Sequence, residues 1–294
     1  MSYSNPRIPE GINVSDVSPL KELVLLCTGA AIVLMLIVVV ISSTVGLLAP
    51  LIPFSYEERL MAAADIDQFA LKRDEGLARE RQAYLEELVV KVSERMAVPD
   101  DMTIRVHYVD DDVENALATL GGNIVIYKGL MDAMPNENAL SMVVAHEIAH
   151  VVHRDPIISV ARTATLSLVM GLILGVTESS GLVSVISTGV QNGSLVYSRE
   201  QETEADLAAQ RALHHLYGHV DGSTTFFRLS TENDLPAVLL PHTHPAAETR
   251  IRDLDMQAAE YGWQLEGLAT ALPAEVLAAD VVSEGSEQTD LDGS

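Results

Sequence analysis

The longest apolar stretch lies near the start of the chain. Residues 23–41 are almost wholly apolar, and no charged residue occurs between positions 23 and 56. An α-helix needs roughly 20 apolar residues to cross the hydrocarbon core of a bilayer. The pattern therefore predicts a transmembrane helix over residues 23–48, preceded by an N-terminal segment of residues 1–22.

A cleaved signal peptide is the alternative for this stretch. The preceding segment is long, the apolar run exceeds the roughly 7–15 residues usual in signal peptides, and no small-residue cleavage site follows. We therefore expect an uncleaved, single-pass anchor in a bacterial inner membrane. Arg7 and Lys21 precede the helix and only Arg59 follows it closely. Because Lys and Arg favour the cytoplasmic side, the catalytic part of the chain is expected to be periplasmic or otherwise exoplasmic.

A helical period governs residues 136–155. Asn136 is a favourable N-cap residue, and Asp155-Pro156 is predicted to end the helix. Aliphatic residues recur at three- and four-residue steps, which predicts a buried face. These residues are Leu140, Val143, Val144, Ile148 and Val151.

Shorter patterns predict the remaining elements. Residues 56–98 are typical of one or two amphipathic helices, and the β-type run Ile124-Val125-Ile126-Tyr127 predicts a strand. The alternating residues 103–109 predict its partner strand. Residues 163–196 are apolar, Gly-rich and almost uncharged. They predict a helical hairpin packed on the domain, with a membrane hairpin as the alternative.

Composition and charge restrict the function. A chain of 294 residues suits one sizeable domain, predicted over residues 56–262, plus appendages. Residues 263–294 are predicted to form an acidic, partly disordered tail, with a short helix over 273–279. The net charge of −24 argues against nucleic acid and against adhesion to anionic lipid. The single cysteine, Cys27, lies in the anchor and excludes an internal disulfide.

The predicted helix 136–155 contains the motif His146-Glu147-Ile148-Ala149-His150. Residues four apart share a helix face with Cβ atoms roughly 5–6 Å apart, so two imidazoles can hold one metal ion. Glu147 could then act as general base on a water molecule at the metal. The alternative is a helix with two surface histidines. His153 lies one turn further and is not expected to converge on the same ion.

A third ligand is expected because catalytic zinc usually takes three protein ligands. Ser198 and Gln201 form a capping box that predicts the start of a helix. Glu202 and Asp206 share a face of that helix, and nearby alanines would allow close packing. Glu202 could bind the ion while Asp206 accepts a hydrogen bond from a ligand imidazole.

These segments together resemble metallopeptidase family forty-eight, which includes HtpX-like, CAAX prenyl and Oma-type proteases. The resemblance covers about residues 60–255. It rests on the motif and three further stretches: Gly121-Gly122-Asn123-Ile124-Val125-Ile126-Tyr127-Lys128-Gly129-Leu130, Ser198-Arg199-x-x-Glu202-x-Glu204-Ala205-Asp206, and Thr243-His244-Pro245 followed by Arg250-Ile251. It implies an α+β, mostly helical zincin-like metallopeptidase domain with a small β-sheet. It also implies one Zn²⁺ per chain on His146, His150 and Glu202, with Glu147 as base.

The resemblance assigns expectations to other residues. The strand residues Ile124, Val125 and Ile126 are expected to border the cleft and offer an edge to an extended substrate, to be an ordinary core strand, or both. His244 is expected to stabilise an oxyanion, to occupy the open zinc position in a latent state, or to be a loop residue. Arg199 and Arg250 are expected to pair with carboxylates near the cleft.

The residues and the resemblance together predict a membrane-anchored zinc-dependent metalloendopeptidase. Its expected partners are the lipid bilayer, through the N-terminal helix, and unfolded or misassembled membrane or envelope proteins as substrates. A latent zinc-binding chaperone or assembly factor is the main alternative, and a metal-free membrane protein is another. A prenyl-protein protease would have many spans, which this chain lacks. The sequence does not determine the oligomeric state.

Overall fold

A computed structural model describes residues 18–63, 76–174, 195, 197–232 and 247–277. These residues are mostly helical with one small sheet, which confirms the predicted α+β class. The helices are α1 (Pro19–Leu48), α2 (Phe54–Ala63), α3 (Leu77–Ser93), α4 (Lys128–Ala133), α5 (Glu137–Val152), α6 (Asp155–Leu174), α7 (Arg199–Tyr217), α8 (Thr225–Glu232) and α9 (Ala247–Tyr261). The strands are β1 (Arg105–Val109), β2 (Ala116–Ala118) and β3 (Asn123–Tyr127).

The chain divides into two compact units, residues 1–44 and 45–294. The first unit contains most of α1, whose apolar side chains face outward: Leu25 and Leu26 are 74% and 71% exposed. A helix this long and this apolar could cross a membrane. It ends at the predicted residue and begins four residues earlier than predicted, at Pro19.

The sheet of the second unit has the strand order β1-β3-β2, with β1 parallel and β2 antiparallel to β3. The predicted partner strand is confirmed as β1. The expectation that β3 offers an edge to substrate is wrong. Ile124, Val125 and Ile126 pair with β1 on one side and β2 on the other, and their side chains are fully buried.

The turn between β2 and β3 depends on two glycines with positive φ, Gly121 at 66° and Gly122 at 74°. A Cβ atom on Gly122 would lie 2.1 Å from the carbonyl oxygen of Thr103, so any side chain there would force the backbone apart. The Gly-Gly pair therefore sets how closely the turn approaches the segment that precedes β1.

The helix α5 forms the centre of the domain. The predicted N-cap is confirmed, because the Asn136 side chain accepts a hydrogen bond from Ala139 N at 2.9 Å. Residues 137–151 are all buried, so the helix is enclosed on every side rather than on one face. Its predicted end is wrong. The helix stops at Val152, Arg154 takes a left-handed φ of 64°, and Asp155-Pro156 begin α6 instead.

The helix α7 packs directly against α5. Ser198 and Gln201 form the predicted capping box. The close packing follows from small side chains on the buried face, which let the two helix backbones approach. These are Ala205, Ala209 and Ala212, all at most 1% exposed.

The domain extends beyond the predicted boundary at residue 262. Residues 263–277 pack on the core, because Leu272 and Val276 are buried and Thr270 bonds α5 through the backbone N–H of Glu137 at 2.8 Å. Burying an aliphatic side chain contributes about 1.5–3 kcal/mol, so this segment belongs to the folded unit. The short helix predicted over 273–279 is a 3₁₀ turn, Ala274–Val276.

The helices around the sheet follow the predicted patterns in part. Residues 56–98 contain α2 and α3, and α3 buries the four aliphatic residues of its periodic face: Leu85, Leu88, Val89 and Val92. Helix α6 accounts for the first part of the predicted hairpin. The rest of that hairpin, residues 175–194 and 196, lies outside the described residues.

Candidate metal centre

Three side chains from α5 and α7 converge in the interior. His146 and His150 project from α5 and Glu202 from α7, with 6%, 0% and 2% of their surface exposed. One ligand atom from each lies within 4.8 Å of the others. The two Nε2 atoms are 3.0 Å apart, and the Glu202 carboxylate oxygens lie 3.7 Å from His146 Nε2 and 3.6 Å from His150 Nε2.

A carboxylate from α7 orients His146. Its Nδ1 lies 2.9 Å from Asp206 Oδ1. Arg250, on α9, donates two hydrogen bonds to Asp206, at 2.6 and 2.7 Å, and its third nitrogen lies 3.0 Å from Glu202 Oε2. The guanidinium also lies over the ring of Phe227, 4.3 Å from its centroid. Arg250 thus joins the predicted ligand Glu202 to the predicted imidazole acceptor Asp206.

A different carboxylate orients His150. Its Nδ1 lies 2.8 Å from Asp155 Oδ2, and the other Asp155 oxygen accepts a hydrogen bond from the side chain of Gln201. Tyr197 stacks on the imidazole, with ring centroids 4.1 Å apart. Sequence reasoning missed Asp155 and Tyr197. Asp155 follows the helix break, so no helical spacing could place it beside His150.

The surroundings of the two imidazoles shift their pKa values in opposite directions. Burial is the main influence on His146 and lowers its pKa. Burial also acts to lower the pKa of His150, but the carboxylates of Asp155, Glu147 and Glu202 outweigh it and raise that pKa. Burial acts to raise the pKa of Asp206, but hydrogen bonds from Arg250 and His146 hold it well below the usual range. Asp206 is therefore an ionised acceptor at neutral pH.

The residues fit a metal ion. Because each Nδ1 hydrogen-bonds a carboxylate, each imidazole carries its proton there and turns the lone pair of Nε2 toward the shared space. Two imidazole nitrogens and one carboxylate are the ligand set of many catalytic zinc sites. A buried carboxylate adjoins them: Glu147 is 2% exposed, and its Oε2 has no hydrogen-bond partner among the described residues.

A pocket opens beside Glu147. It is lined by side chains from α5, α7, α8 and α9 and by the start of β2. Its apolar part is formed by Met142, Val143, Phe226 and Phe227, and its polar part includes His146, Glu147, Asp206 and Arg250. The pocket therefore places a buried carboxylate next to an apolar recess.

The edge strand β2 borders this pocket. On either side of β2, Thr119 N donates to Asn123 O and Tyr127 N donates to Asn115 O. In this antiparallel ladder the backbone N–H and C=O groups of the odd-numbered residues therefore point toward β3. The peptide groups of Ala116 and Ala118 consequently face away from the sheet. Ala118 O accepts a hydrogen bond from Tyr197 at 3.1 Å, while Ala116 lines the pocket. The strand edge at the site is thus β2, not β3.

The remaining predicted residues lie elsewhere. Arg199 is exposed at the first residue of α7, and His153 is half-buried at the C-cap of α5. His244 and its neighbour His242 lie outside the described residues. The structure therefore brings together His146, Glu147, His150, Glu202, Asp206 and Arg250, but not Arg199.

The family model described as Peptidase family M48 matches residues 79–258. The Mitochondrial metalloendopeptidase OMA1 of Schizosaccharomyces pombe is 27% identical over 160 residues, which cover 53% of this chain and 47% of that protein. The Beta-barrel assembly-enhancing protease of Escherichia coli K12 is 30% identical over 159 residues, covering 49% of this chain and 32% of that protein.

Protease HtpX of Legionella pneumophila (strain Philadelphia 1) is 24% identical over 217 residues, which cover 66% of this chain and 75% of that protein. The chain thus spans less than half the length of the first two relatives and three quarters of the third.

Proposed function

The chain belongs to peptidase family M48, and from this membership we propose that it is a membrane-anchored zinc-dependent metalloendopeptidase. One observation carries the proposal. His146, His150 and Glu202 place a ligand atom each within 4.8 Å of one another, and a buried carboxylate, Glu147, adjoins them, with one oxygen that has no hydrogen-bond partner in the described part of the chain. One zinc ion per chain would be held by these three residues.

A zinc ion in such a site supplies Lewis acidity, which lowers the pKa of water and polarises a peptide carbonyl. Around it, Asp206 and Asp155 hold the imidazole protons on Nδ1 and keep both Nε2 atoms available as ligands. Glu147 takes the proton at Oε2 from the water that attacks the scissile carbonyl. It then delivers that proton to the departing amine nitrogen.

The edge of β2 supports substrate binding in an extended form. Ala116 directs its peptide N–H and C=O away from the sheet beside Glu147, so a substrate backbone could add there as a further strand. The recess formed by Met142, Val143, Phe226 and Phe227 would receive an apolar substrate side chain. This assignment replaces the edge expected from Ile124, Val125 and Ile126.

For His244 we propose one of two roles, stabilising the oxyanion or holding the enzyme latent. An imidazole N–H near the cleft would stabilise the oxyanion that forms when the carbonyl is attacked. Occupation of the open metal position by the same ring would instead hold the enzyme latent.

We further propose that α1 anchors the chain in a bacterial inner membrane with the catalytic domain on the exoplasmic side. Unfolded or misassembled envelope proteins are the proposed substrates. Two observations support this: α1 is long and apolar enough to cross a membrane, and a bacterial relative carries the name of a β-barrel assembly-enhancing protease.

The test is casein cleavage by the purified, detergent-solubilised chain beside Glu147→Gln, with the zinc content of both. We expect Glu147→Gln to lower cleavage by about 100-fold or more and to keep zinc near one per chain. Glu204→Gln, an exposed position on α7, is the matched control and should cleave normally. Equal cleavage by Glu147→Gln and wild type would refute the proposed role of Glu147. A zinc-free wild type would refute the proposal as a whole.

A further inference from the structure

The side chain of Arg154 links the segment that follows α1 with the turn at the end of α5. It lies in the turn between α5 and α6 and is 9% exposed. Its guanidinium donates to the carbonyl oxygen of Ile52 at 2.7 Å, to that of Pro50 at 3.4 Å, and to Glu57 Oε1 at 2.7 Å. It also lies over the ring of Phe54. The Arg154 side chain therefore links residues 49–57, the connector, to the turn that follows α5.

Glu57 extends the connection to the sheet. It is 2% exposed, and its second oxygen accepts a hydrogen bond from the backbone N–H of Gly121 at 3.1 Å. Gly121 lies in the turn that follows β2, the strand beside the candidate site. One buried ion pair thus joins the connector, the end of the metal helix and the edge of the sheet.

The same turn leads directly to the carboxylate that lies beside His150, a proposed metal ligand. Arg154 has a left-handed φ of 64°, a conformation that is unfavourable for a residue with a side chain. The next residue is Asp155, whose carboxylate lies 2.8 Å from His150 Nδ1. The contacts of the Arg154 side chain oppose relaxation of this turn, and a relaxed turn would carry Asp155 away from the imidazole.

The stability of the fold alone does not explain why the ion pair between Arg154 and Glu57 is buried. Removing two charges from water costs free energy that their attraction only partly offsets, so apolar residues of similar volume often stabilise a fold equally well. What apolar residues would not supply is directional bonding to two carbonyl groups, a carboxylate and, through that carboxylate, a backbone N–H. This directional bonding fixes the orientation of the turn.

We propose that Arg154 and Glu57 are positioning residues of the metal centre. By holding the turn that carries Asp155, they set the orientation of His150. They also make metal affinity depend on the connector being docked against α5. This inference rests on the proposed function, because it concerns the affinity of the same site for zinc.

The test compares Glu57→Gln and Arg154→Lys with wild type, using the full chain in detergent. The matched control is Arg81→Lys, since Arg81 is also a buried arginine and binds Asp132, Tyr108 and the carbonyl of Val276, none of which is a residue of the candidate metal site. Zinc affinity is measured by competition with a chelator. The visible spectrum of the cobalt-loaded protein is recorded as well, because it reports the ligand geometry and does not depend on activity.

We expect Glu57→Gln and Arg154→Lys to weaken zinc binding by about 10-fold, the lower end of the effect of losing a group that orients a metal ligand, and to alter the cobalt spectrum. Arg81→Lys should lower the unfolding temperature without either change. In an Asp155→Asn background, Glu57→Gln should have little further effect, because both act through His150.

Glu57→Gln preserves size and the bond from Gly121, so it tests the inference even if Arg154→Lys does not fold. Zinc affinities within twofold of wild type in Glu57→Gln, with an unchanged cobalt spectrum, would overturn this inference alone. A wild type that binds no zinc would overturn both this inference and the proposed function.

Discussion

His146 and His150 stand one turn apart on the same helix, yet different parts of the fold orient them. The acceptor for His146 is Asp206, which comes from α7 and is held by Arg250 from α9. The acceptor for His150 is Asp155, the first residue of α6, which directly follows the turn after α5. One imidazole is therefore oriented by an acceptor from a helix distant in the chain, whereas the acceptor for the other lies five residues along the chain and is bonded in turn by Gln201 of α7.

The two sides also differ in charge. A buried guanidinium lies behind Asp206, whereas the amide of Gln201 lies behind Asp155. This contrast teaches that the two histidines of one motif can be oriented by different carboxylates with different partners. We expect changes at one carboxylate to affect the site differently from changes at the other.

The largest effect on zinc binding is expected from removing either histidine, and it should be the same for both. His146→Ala and His150→Ala should each lose zinc entirely, because two remaining ligands hold the ion poorly. Metal content after dialysis measures this, with the exposed His215→Ala as control. Retention of stoichiometric zinc by either variant would show that this residue is not a ligand.

Neutralising Asp206 and neutralising Asp155 should have different effects on the stability of the fold. Asp206→Asn and Asp155→Asn should each weaken zinc binding by about 10–100-fold, because an imidazole loses the group that fixes its tautomer. Asp206→Asn should also destabilise the fold more, since it leaves the Arg250 charge buried with Glu202 alone, a loss of about 3–5 kcal/mol in comparable cases. Chelator competition and thermal unfolding would separate the two effects. Equal unfolding temperatures would contradict the proposed asymmetry.

The smallest effect on the metal is expected at the N-terminal end of α5. Burial acts to raise the pKa of Glu137, but hydrogen bonds from Lys91, Tyr217 and Tyr84 prevail and lower it. A depressed pKa contributes stability that is present above the unfolded pKa of about 4.3 and is lost as pH falls through the folded value. Glu137→Gln should lower the free energy of unfolding by about 1–3 kcal/mol at pH 7.

The Glu137→Gln variant and the wild type should converge only as pH falls below the depressed folded pKa of Glu137, because the wild-type carboxyl is then protonated. Zinc affinity at pH 7 should stay within twofold of wild type, since Glu137 contacts neither imidazole. Denaturant titrations across pH, with chelator competition at pH 7, measure both quantities. A variant that binds zinc much more weakly would show that metal affinity follows the general stability of α5 rather than the two local networks.

Local patterns were enough to predict much of the molecule. The apolar run, the Asn136 cap, the capping box at Ser198 and the four-residue spacing of the histidines are each set by interactions between neighbours in sequence. Such interactions are short-ranged, so a pattern of a few residues carries them. The pairing of Glu202 with the histidines needed the family resemblance as well, because two separate helices supply these ligands.

The errors share a cause. The end of α5 and the central place of β3 both depend on contacts between segments distant in the chain. The sequence by itself determined which elements form and which side chains could bind a metal or carry a proton. Only the tertiary structure decided which strand lies at the edge of the sheet beside the candidate site and which carboxylate orients each imidazole, because backbone pairing and buried hydrogen bonds are settled when the elements pack together.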